Sequence, residues 1–582
     1  MSTSSSGPLT DYRATSRRRA AIVLVLGVLG VGVCSVSSSA LEIQDVRWGI
    51  DGAPCTNGFQ MLSVLLRNDD AAPYEGQLTL ASELGSSNFV YHTDELVIAP
   101  GALRWVQFFP YTTSSSQSWR LSEGLLQRVH RIESLAADPA VAVRLVDADL
   151  PSAIVGAIRD FPERLFPPSA AALGAVERII LDHDPDWGAA QRAALCDWVS
   201  LGGELHVLSK VDGELPEFSG QLAQFIGSAR LSGATSVATS ARVGRGLVSL
   251  SSKTLRDARG EFERLPVKAR IGDLSLSEQE SSGFMTAEGL VDVLQRQNAP
   301  KTSWGRIFTL LIIYVVLVGP VNAVLVHRTR KYGQVLLLLL VVIALFSAGF
   351  YWLLRDDFIK VSGLLVASHA RVGGEVCLVE HQAIAQVAYG GAFNMRHTDP
   401  HALFGNADFF ASAMRFAAVP GAMVMELPFN VGASFVASGV TKAPLVKPEV
   451  LAQIRAADSD AGLSAAIHTG VVGVGEILGA VRVSQREVLV YQPRKQYGNL
   501  VKERLSNPNN TFIAYRYQNY RGLEHPVAEL LAEWTAAIAH DARRTEVAPQ
   551  LFVAVQLDES PFRGDLTLRT HYLIYQFSLE SE

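Results

Sequence analysis

The chain has 582 residues and a formal net charge of −6, too long for one ordinary domain and without the basic field that draws a protein to nucleic acid. It is 48% hydrophobic and only 19% charged, against roughly 25% charged in an average soluble protein, a deficit that fits partial burial in lipid. Its four cysteines, Cys34, Cys55, Cys196 and Cys377, have no paired spacing, so they make neither a disulfide framework nor a CxxC metal clip, while a single bridge between two of Cys55, Cys196 and Cys377 in an oxidising compartment stays open.

Residues 1–19 end in Arg17-Arg18-Arg19 and are expected in the cytoplasm. The apolar run that follows, Ala20–Val33, leads into the small residues Ser37-Ser38-Ser39-Ala40. A basic n-region, a short apolar h-region and a small-residue end describe a secretory signal peptide. An uncleaved signal anchor over 20–36, near the lower length for spanning, fits the same residues. Either way the segment directs export.

From 41 to 120 the chain alternates apolar and polar residues in the manner of half-buried strands, as in Met61–Leu65, Gln77–Leu80, Phe89–Tyr91, Leu96–Ile98 and Trp105–Phe108. Turn clusters such as Asn68–Pro73 and Ala99-Pro100-Gly101 separate them. This spacing predicts a small immunoglobulin-like β-sandwich.

Between 121 and 255 the rhythm changes. Val141–Val146, Arg178–Leu181, Glu204–Leu208 and Gly246–Leu250 read as buried strands. A helix over Gln191–Leu201 carries one apolar stripe and stops at Gly202-Gly203. Strand, helix, Gly-Gly, strand predicts an open α/β domain built on a parallel sheet. "IILDHDPDWGAAQRAALCDWVSLGGELHVLS" followed by "VGRGLVSLSS" resembles the glutamine-amidotransferase-like domain of many uncharacterised bacterial envelope proteins. "YVVLVGPVNAVLVHRTR" is similar to the membrane hairpin that follows such domains, so the resemblance covers roughly 121 to 354. It implies the fold and argues against the activity, because true amidotransferases carry a cysteine on a Gly-rich strand-to-helix elbow. No G-x-C-x-G or G-x-S-x-G occurs here, and Cys196 falls inside the helix as a packing thiol.

Asp182-His183-Asp184-Pro185-Asp186-Trp187 follows a predicted strand, and the carboxyl end of a parallel strand is where open α/β sheets bind ligands. As a site, Asp182, His183 and Asp184 are candidates for catalysis, and Asp182, Asp184 and Asp186 for a divalent cation. As ordinary structure, Asp184-Pro185 is a turn and Asp186 suits the N-cap of the next helix. The turn and cap are the expectation, catalysis or metal the alternative. Residues 256–303 are polar, with an amphipathic helix expected around Thr286–Gln297.

Ile307–Val326 and Val335–Leu354 each run about 20 residues without a charge, about 30 Å as helix, the thickness of a bilayer core. The connection 327–334 is short, basic and free of acids, which marks a transmembrane hairpin with a cytoplasmic turn. Trp304, Tyr351 and Trp352 then fall at the outer interface. Pro320 withholds a donor from the Val316 carbonyl and is expected to kink the first helix. Asn322 is read as a contact to the neighbouring helix. No Asp, Glu, Lys or Arg lies inside either run, so an ion or proton relay has no carrier.

Residues 356–582 read as a β-rich α+β domain. Its expected strands are Phe358–Val366, Glu375–Val379, Ile384–Ala388, Val481–Val483, Val488–Tyr491, Thr511–Tyr517, Leu551–Gln556 and Thr567–Gln576, with one helix over Val527–Ala539. His397 and His401 are metal-ligand candidates across a proline loop, with a plain turn as the alternative. Gly470–Gly479 lacks dinucleotide-loop spacing and is read as a Gly-rich connection. The stretch Arg516–Arg521 is read as a solvated strand edge.

The whole predicts a multi-pass protein of the bacterial inner membrane, with two large regions on the periplasmic side of a transmembrane hairpin. No cofactor is implied. The expected partners are the lipid bilayer and another envelope protein, in a binding or scaffold role without catalysis. The alternatives are a periplasmic hydrolase or amidotransferase-like enzyme using Asp182, His183 and Asp184, and an accessory subunit of an envelope transport machine.

Overall fold

In a computed structural model of the chain, the described residues are 41–50, 58–83, 89–112, 118–123, 128–133, 142–147, 158–174, 176–210, 212–232, 238–262, 304–329, 332–354, 362–373, 376–406, 414–429, 431–441, 476–483, 488–493, 500–505 and 550–578. The export segment 20–36, Cys34, Cys55 and the expected elements at 286–297, 511–521 and 527–539 lie outside them.

Most of the described chain is β-sheet, with a few helices. A six-stranded sheet has the order Ile158–Pro162, Ala142–Val146, Arg178–Leu181, Glu204–Leu208, Gly246–Ser251, Ala238–Val243. All its pairings are parallel except the last, where Ala238–Val243 runs antiparallel along the edge. Arg178–Leu181 is buried at every position because layers cover both faces of a central parallel strand.

The helix Ala189–Ser200 packs on this sheet and buries Leu195, Trp198 and Val199. Its exit explains the glycines read from the sequence. A Cβ on Gly203 would lie 2.4 Å from the Trp198 indole, and one on Gly246 only 1.9 Å from the Val199 carbonyl oxygen. Both glycines let strands run hard against the helix terminus. Cys196 is buried in this helix and Cys377 in a strand, and neither forms a disulfide.

The two apolar helices stand apart from the sheets. The first runs from Trp304 to Thr329 and the second covers Tyr332–Leu354. Both are long and apolar enough to cross a membrane. Tyr314 packs on Phe346 between them, with ring centroids 5.2 Å apart. Their outer faces expose Phe308, Ile312, Val324, Leu337 and Leu345, a contiguous apolar surface that water does not favour. The helix does not break at Pro320. It widens into a π turn over Leu317–Val321, which absorbs the missing donor without ending the helix.

The strands on either side of the hairpin share sheets and a core. An eight-stranded sheet has the order Arg128–Glu133, Ser118–Glu123, Leu78–Ser82, Phe89–His92, Arg415–Val419, Ala422–Leu427, Gly391–His397, Phe562–Gly564. At its centre Phe89, Val90 and Tyr91 pair in parallel with Phe416, Ala417 and Ala418. The first four strands precede the hairpin in the chain and the last four follow it.

A nine-stranded sheet is built wholly from residues after the hairpin, in the order Leu403–Gly405, Val431–Thr441, Val376–Val387, Gly363–Gly373, Leu568–Ser578, Gln550–Leu557, Glu476–Val483, Val488–Pro493, Leu500–Leu505. The strand Glu476–Val483 takes in the end of the Gly-rich stretch read as a connection. A three-stranded sheet, Leu41–Trp48, Leu62–Asn68 and Leu103–Phe108, completes the layers.

One core joins Trp48, Leu80, Phe89 and Trp119 to Val366, Phe416, Phe435 and Phe562. A second, around the parallel sheet, includes Leu378 and Leu403 from beyond the hairpin. Each core therefore draws side chains from both sides of the membrane-length helices. Residues 41–120 and 356–582 do not keep separate interiors, because the apolar faces of their strands meet one another.

Candidate functional site

Two clusters of ionisable groups stand out, one at the carboxyl edge of the parallel sheet and one inside the shared β core.

Arg178–Leu181 and Ile158–Pro162 end at the same edge of the parallel sheet. The first delivers Asp182 and His183, and the second delivers the buried Glu163 in the turn that follows it. His183 lies between the two carboxylates, with Nδ1 2.8 Å from Asp182 Oδ1 and Nε2 2.7 Å from Glu163 Oε2. Arg144, on the strand between, donates to Asp182 Oδ2 from Nη2 at 2.7 Å and from Nε at 3.1 Å.

The Asp182 hydrogen bond raises the His183 pKa above its ordinary value. Burial opposes that, and Glu163 adds to it. Burial pushes the Asp182 carboxyl up, but the bonds and charges of His183 and Arg144 outweigh it and hold the pKa below normal. The two carboxylates favour the protonated ring, and in that form both ring nitrogens donate and neither has a lone pair for a metal or for a substrate proton.

Asp184 turns elsewhere. Its Oδ2 accepts from Ser219 Oγ at 2.6 Å and from the Ser219 amide at 3.2 Å, and Arg192 Nη1 lies 3.3 Å from Oδ1. Asp186 does not cap the helix. Gly188 stands at the N-cap, with its amide donating to Gln191 Oε1 at 3.2 Å. The helix starts late because Trp187 is needed inward, where it stacks on Phe166 at 4.5 Å and donates from Nε1 to the Glu163 carbonyl at 2.8 Å. The Asp186 amide meanwhile donates to Glu163 Oε1 at 3.1 Å. The acidic turn thus joins Asp182 and His183 to Glu163 and sends Asp184 to a separate pair.

The sequence reading missed Glu163. It lies between Pro162 and Arg164, three residues after Asp160, so no local signal in the sequence marked it. Among the described residues no group of three or more His, Cys, Asp or Glu side chains is placed to hold a metal ion.

The second cluster is a chain of hydrogen bonds through the β core. The Asp399 amide donates to His397 Nδ1 at 2.9 Å, so the neutral ring carries its proton on Nε2. That nitrogen lies 3.1 Å from His381 Nε2, which leaves the His381 proton on Nδ1, 2.7 Å from Ser368 Oγ. The Ser368 hydroxyl then donates to His571 Nε2 at 2.8 Å, and His571 Nδ1 donates to the Glu559 carbonyl at 2.8 Å.

An amide at one end and a carbonyl at the other fix every proton between. The three rings are neutral in the one arrangement that makes all five bonds. Burial accordingly lowers all three histidine pKa values, that of His571 to about 4. Ser368, His381 and His571 belong to the nine-stranded sheet and His397 to the eight-stranded one, so the chain of bonds pins the two layers together. His401 stays out of it. Its amide donates to Asp399 Oδ1 at 2.9 Å in the turn, so His397 and His401 are not brought together as a ligand pair. A legible signal was present, since Ser368 lies between Val366 and Ala370 on one strand face, and His381 between Val379 and Ala383.

No family model matches the chain, and no curated protein is similar to it. Among solved structures, a Paenibacillus sp. cycloisomaltooligosaccharide glucanotransferase complexed with cycloisomaltoheptaose aligns at 10% identity, covering 69% of this chain and 72% of that one, with a TM-score of 0.14. A likeness so slight carries neither fold nor function.

Proposed function

We propose that this chain is a non-catalytic binding or scaffold protein of the bacterial envelope, anchored in the inner membrane by the hairpin, with both large regions on the periplasmic face. The observation that carries the reading is the parallel pairing of Phe89–Tyr91 with Phe416–Ala418. Strands that hydrogen-bond side by side lie on the same side of a bilayer, so the chain crosses it an even number of times between them.

The chemistry of the two clusters points the same way. In both clusters the histidine nitrogens are spent on internal partners, and no group of three or more His, Cys, Asp or Glu side chains among the described residues is placed to hold a metal ion. We read the parallel sheet with its helix as the glutamine-amidotransferase-like unit and the strands of 41–120 as an immunoglobulin-like contribution to the larger β body. The test is in situ cross-linking of the full chain in native membranes, followed by purification in detergent. A defined envelope protein captured by the unaltered chain supports the reading, and repeated recovery of the chain alone refutes it.

A second reading is favoured by one feature. Glu163, Asp182 and His183 converge at the carboxyl ends of parallel strands, where open sheets bind ligands. In a hydrolase, substrate would have to displace one carboxylate from His183. Replacing Asp182 and His183 together by Asn and Gln separates the readings: loss of a cellular phenotype with the fold intact supports the enzyme, and an unaltered phenotype removes it.

A further inference from the structure

We infer that Tyr389 and Phe429 form an aromatic foot that rests in the interfacial layer of the bilayer crossed by the hairpin. The inference builds on the proposed membrane anchoring.

Tyr389 follows the strand Val376–Val387 and Phe429 precedes the strand Val431–Thr441, two antiparallel neighbours whose ends meet at Val387 and Val431. Their side chains are 73% and 61% exposed, and the ring centroids lie 6.4 Å apart. The two tips are held as one unit. A Cβ on Gly390 would come within 3.0 Å of the Phe429 nitrogen, so a residue without a side chain lets the turns touch.

The strand register places this foot at the end of the sheet where the chain arrives from the second apolar helix. Gly363–Gly373 is the first strand after the second apolar helix, and its first residue pairs with Gln386. The Ser362 hydroxyl accepts the Ala388 amide at 3.0 Å, which ties the foot directly to the chain leaving that helix. The helix ends at Leu354, and the residues from there to Ser362 reach at most about 28 Å fully extended. The foot therefore sits at the tethered end of the sheet.

The chemistry of the tips fits lipid. Ala388–Ala392 and Leu427–Asn430 contain no charged residue. Tyrosine joins an apolar ring to a hydroxyl that stays wet, the reason tyrosine concentrates at membrane interfaces. Beside the foot, exposed Arg569 donates to Gln386 Oε1 at 3.0 Å, a cation placed for anionic headgroups. Elsewhere on the sheets the exposed Val97 and Leu103 are aliphatic and on strands rather than paired aromatic tips, as expected of scattered surface residues.

The test uses the full-length protein in lipid nanodiscs and reads quenching by acyl-brominated phosphatidylcholine. A tryptophan is introduced singly at four sites, as Tyr389→Trp, Phe429→Trp, Leu345→Trp on the exposed face of the second helix, and Thr398→Trp beyond the far end of the strand Gly391–His397. Signals are taken as differences from the unaltered protein. The expected result is loss of the added emission at 345, 389 and 429, with a blue shift at the foot, and no loss at 398. Quenching at 345 with 389 and 429 behaving like 398 overturns the foot and leaves the membrane span standing. No quenching at 345 overturns the span and the foot together. A blue shift at 389 that requires added membrane protein and shows no lipid quenching also overturns it, assigning the tips to a protein partner.

Discussion

Phe89 stacks on Phe416 with ring centroids 5.4 Å apart and planes 21° apart, although both membrane-length helices separate the two residues in the chain. The contact sits where the eight-stranded sheet passes from strands before the hairpin to strands after it, so stability on the two sides is coupled there. Phe416→Ala, which opens a cavity at a buried position, is expected to cost about 3–5 kcal/mol. Adding Phe89→Ala is expected to cost less than the sum of the single changes, since contacting residues are not additive. Thermal unfolding in detergent checks this: one transition that moves as a whole is expected, whereas two transitions with only one displaced would mean two independent units.

Ser368 is the hinge of the buried histidine chain, accepting from His381 and donating to His571. Ser368→Ala keeps the volume but strips a donor and an acceptor of their partners in a dry core. The expected loss is about 1–3 kcal/mol for each group left unpaired. Ser368→Thr, which retains the hydroxyl, is expected to recover part of it. Urea unfolding of the two variants at pH 7.5 gives the comparison.

The same histidines make the fold acid-sensitive. Their folded pKa values lie below the ordinary 6.5, with His571 at about 4. In acid the unfolded chain therefore binds protons that the native chain refuses. Their contribution is fully present above pH 6.5 and is lost as the pH falls below it, by up to about 1.4 kcal/mol per pH unit for each ring. His571→Gln is expected to flatten the acid limb of a stability-versus-pH curve between pH 6.5 and 4. An unchanged slope would mean that these rings accept protons without opening the core.

His183 runs the other way. Its pKa is raised by Asp182 and Glu163, so its contribution is fully present below pH 6.5 and is lost as the pH rises through the raised folded value. His183→Gln leaves the buried Glu163 short of a charged donor and is expected to cost about 1–3 kcal/mol at pH 6. The difference from the unaltered protein is expected to shrink steadily on the alkaline side. Thermal midpoints of both proteins from pH 5 to 10 measure it.

What the sequence disclosed followed from local pattern. Arg178–Leu181 was legible because a parallel strand buried on both faces needs an apolar run, and the two apolar helices because a membrane-length helix needs charge-free length. Gly391–His397, Arg415–Val419 and Ala422–Leu427 were not, because their pattern is short and one partner of Arg415–Val419 lies across the hairpin. That joint depends on Phe89 meeting Phe416, a long-range pairing that no local window carries. The sites divide the same way. Asp182 and His183 announced themselves as an acidic turn, while Glu163 joins them only through the order of the parallel strands. Ser368 and His571, 203 residues apart, meet only through the parallel pairing of their strands, which no local window carries.

Topology is the measurement on which the functional readings depend. Reporters fused after Ser240 and after Glu582 are expected to behave as periplasmic, and one at Arg330 as cytoplasmic. Two physical arguments lead there independently. The first is charge: Arg17, Arg18, Arg19 and the Arg328-Arg330-Lys331 turn are expected on the inner side by the positive-inside bias. The second is pairing. Ser240 belongs to a strand of the parallel sheet, whose core includes Leu378 and Leu403, and Phe416 beyond the hairpin pairs with Phe89 before it. Residues sharing a core and a sheet share a compartment, which requires both apolar helices to cross or neither. The Arg330 fusion decides between those cases: a cytoplasmic signal means that both cross, and a periplasmic signal means that neither does. A cytoplasmic signal at Glu582 with a periplasmic one at Ser240 would demand an odd number of crossings, which the Phe89–Phe416 pairing forbids.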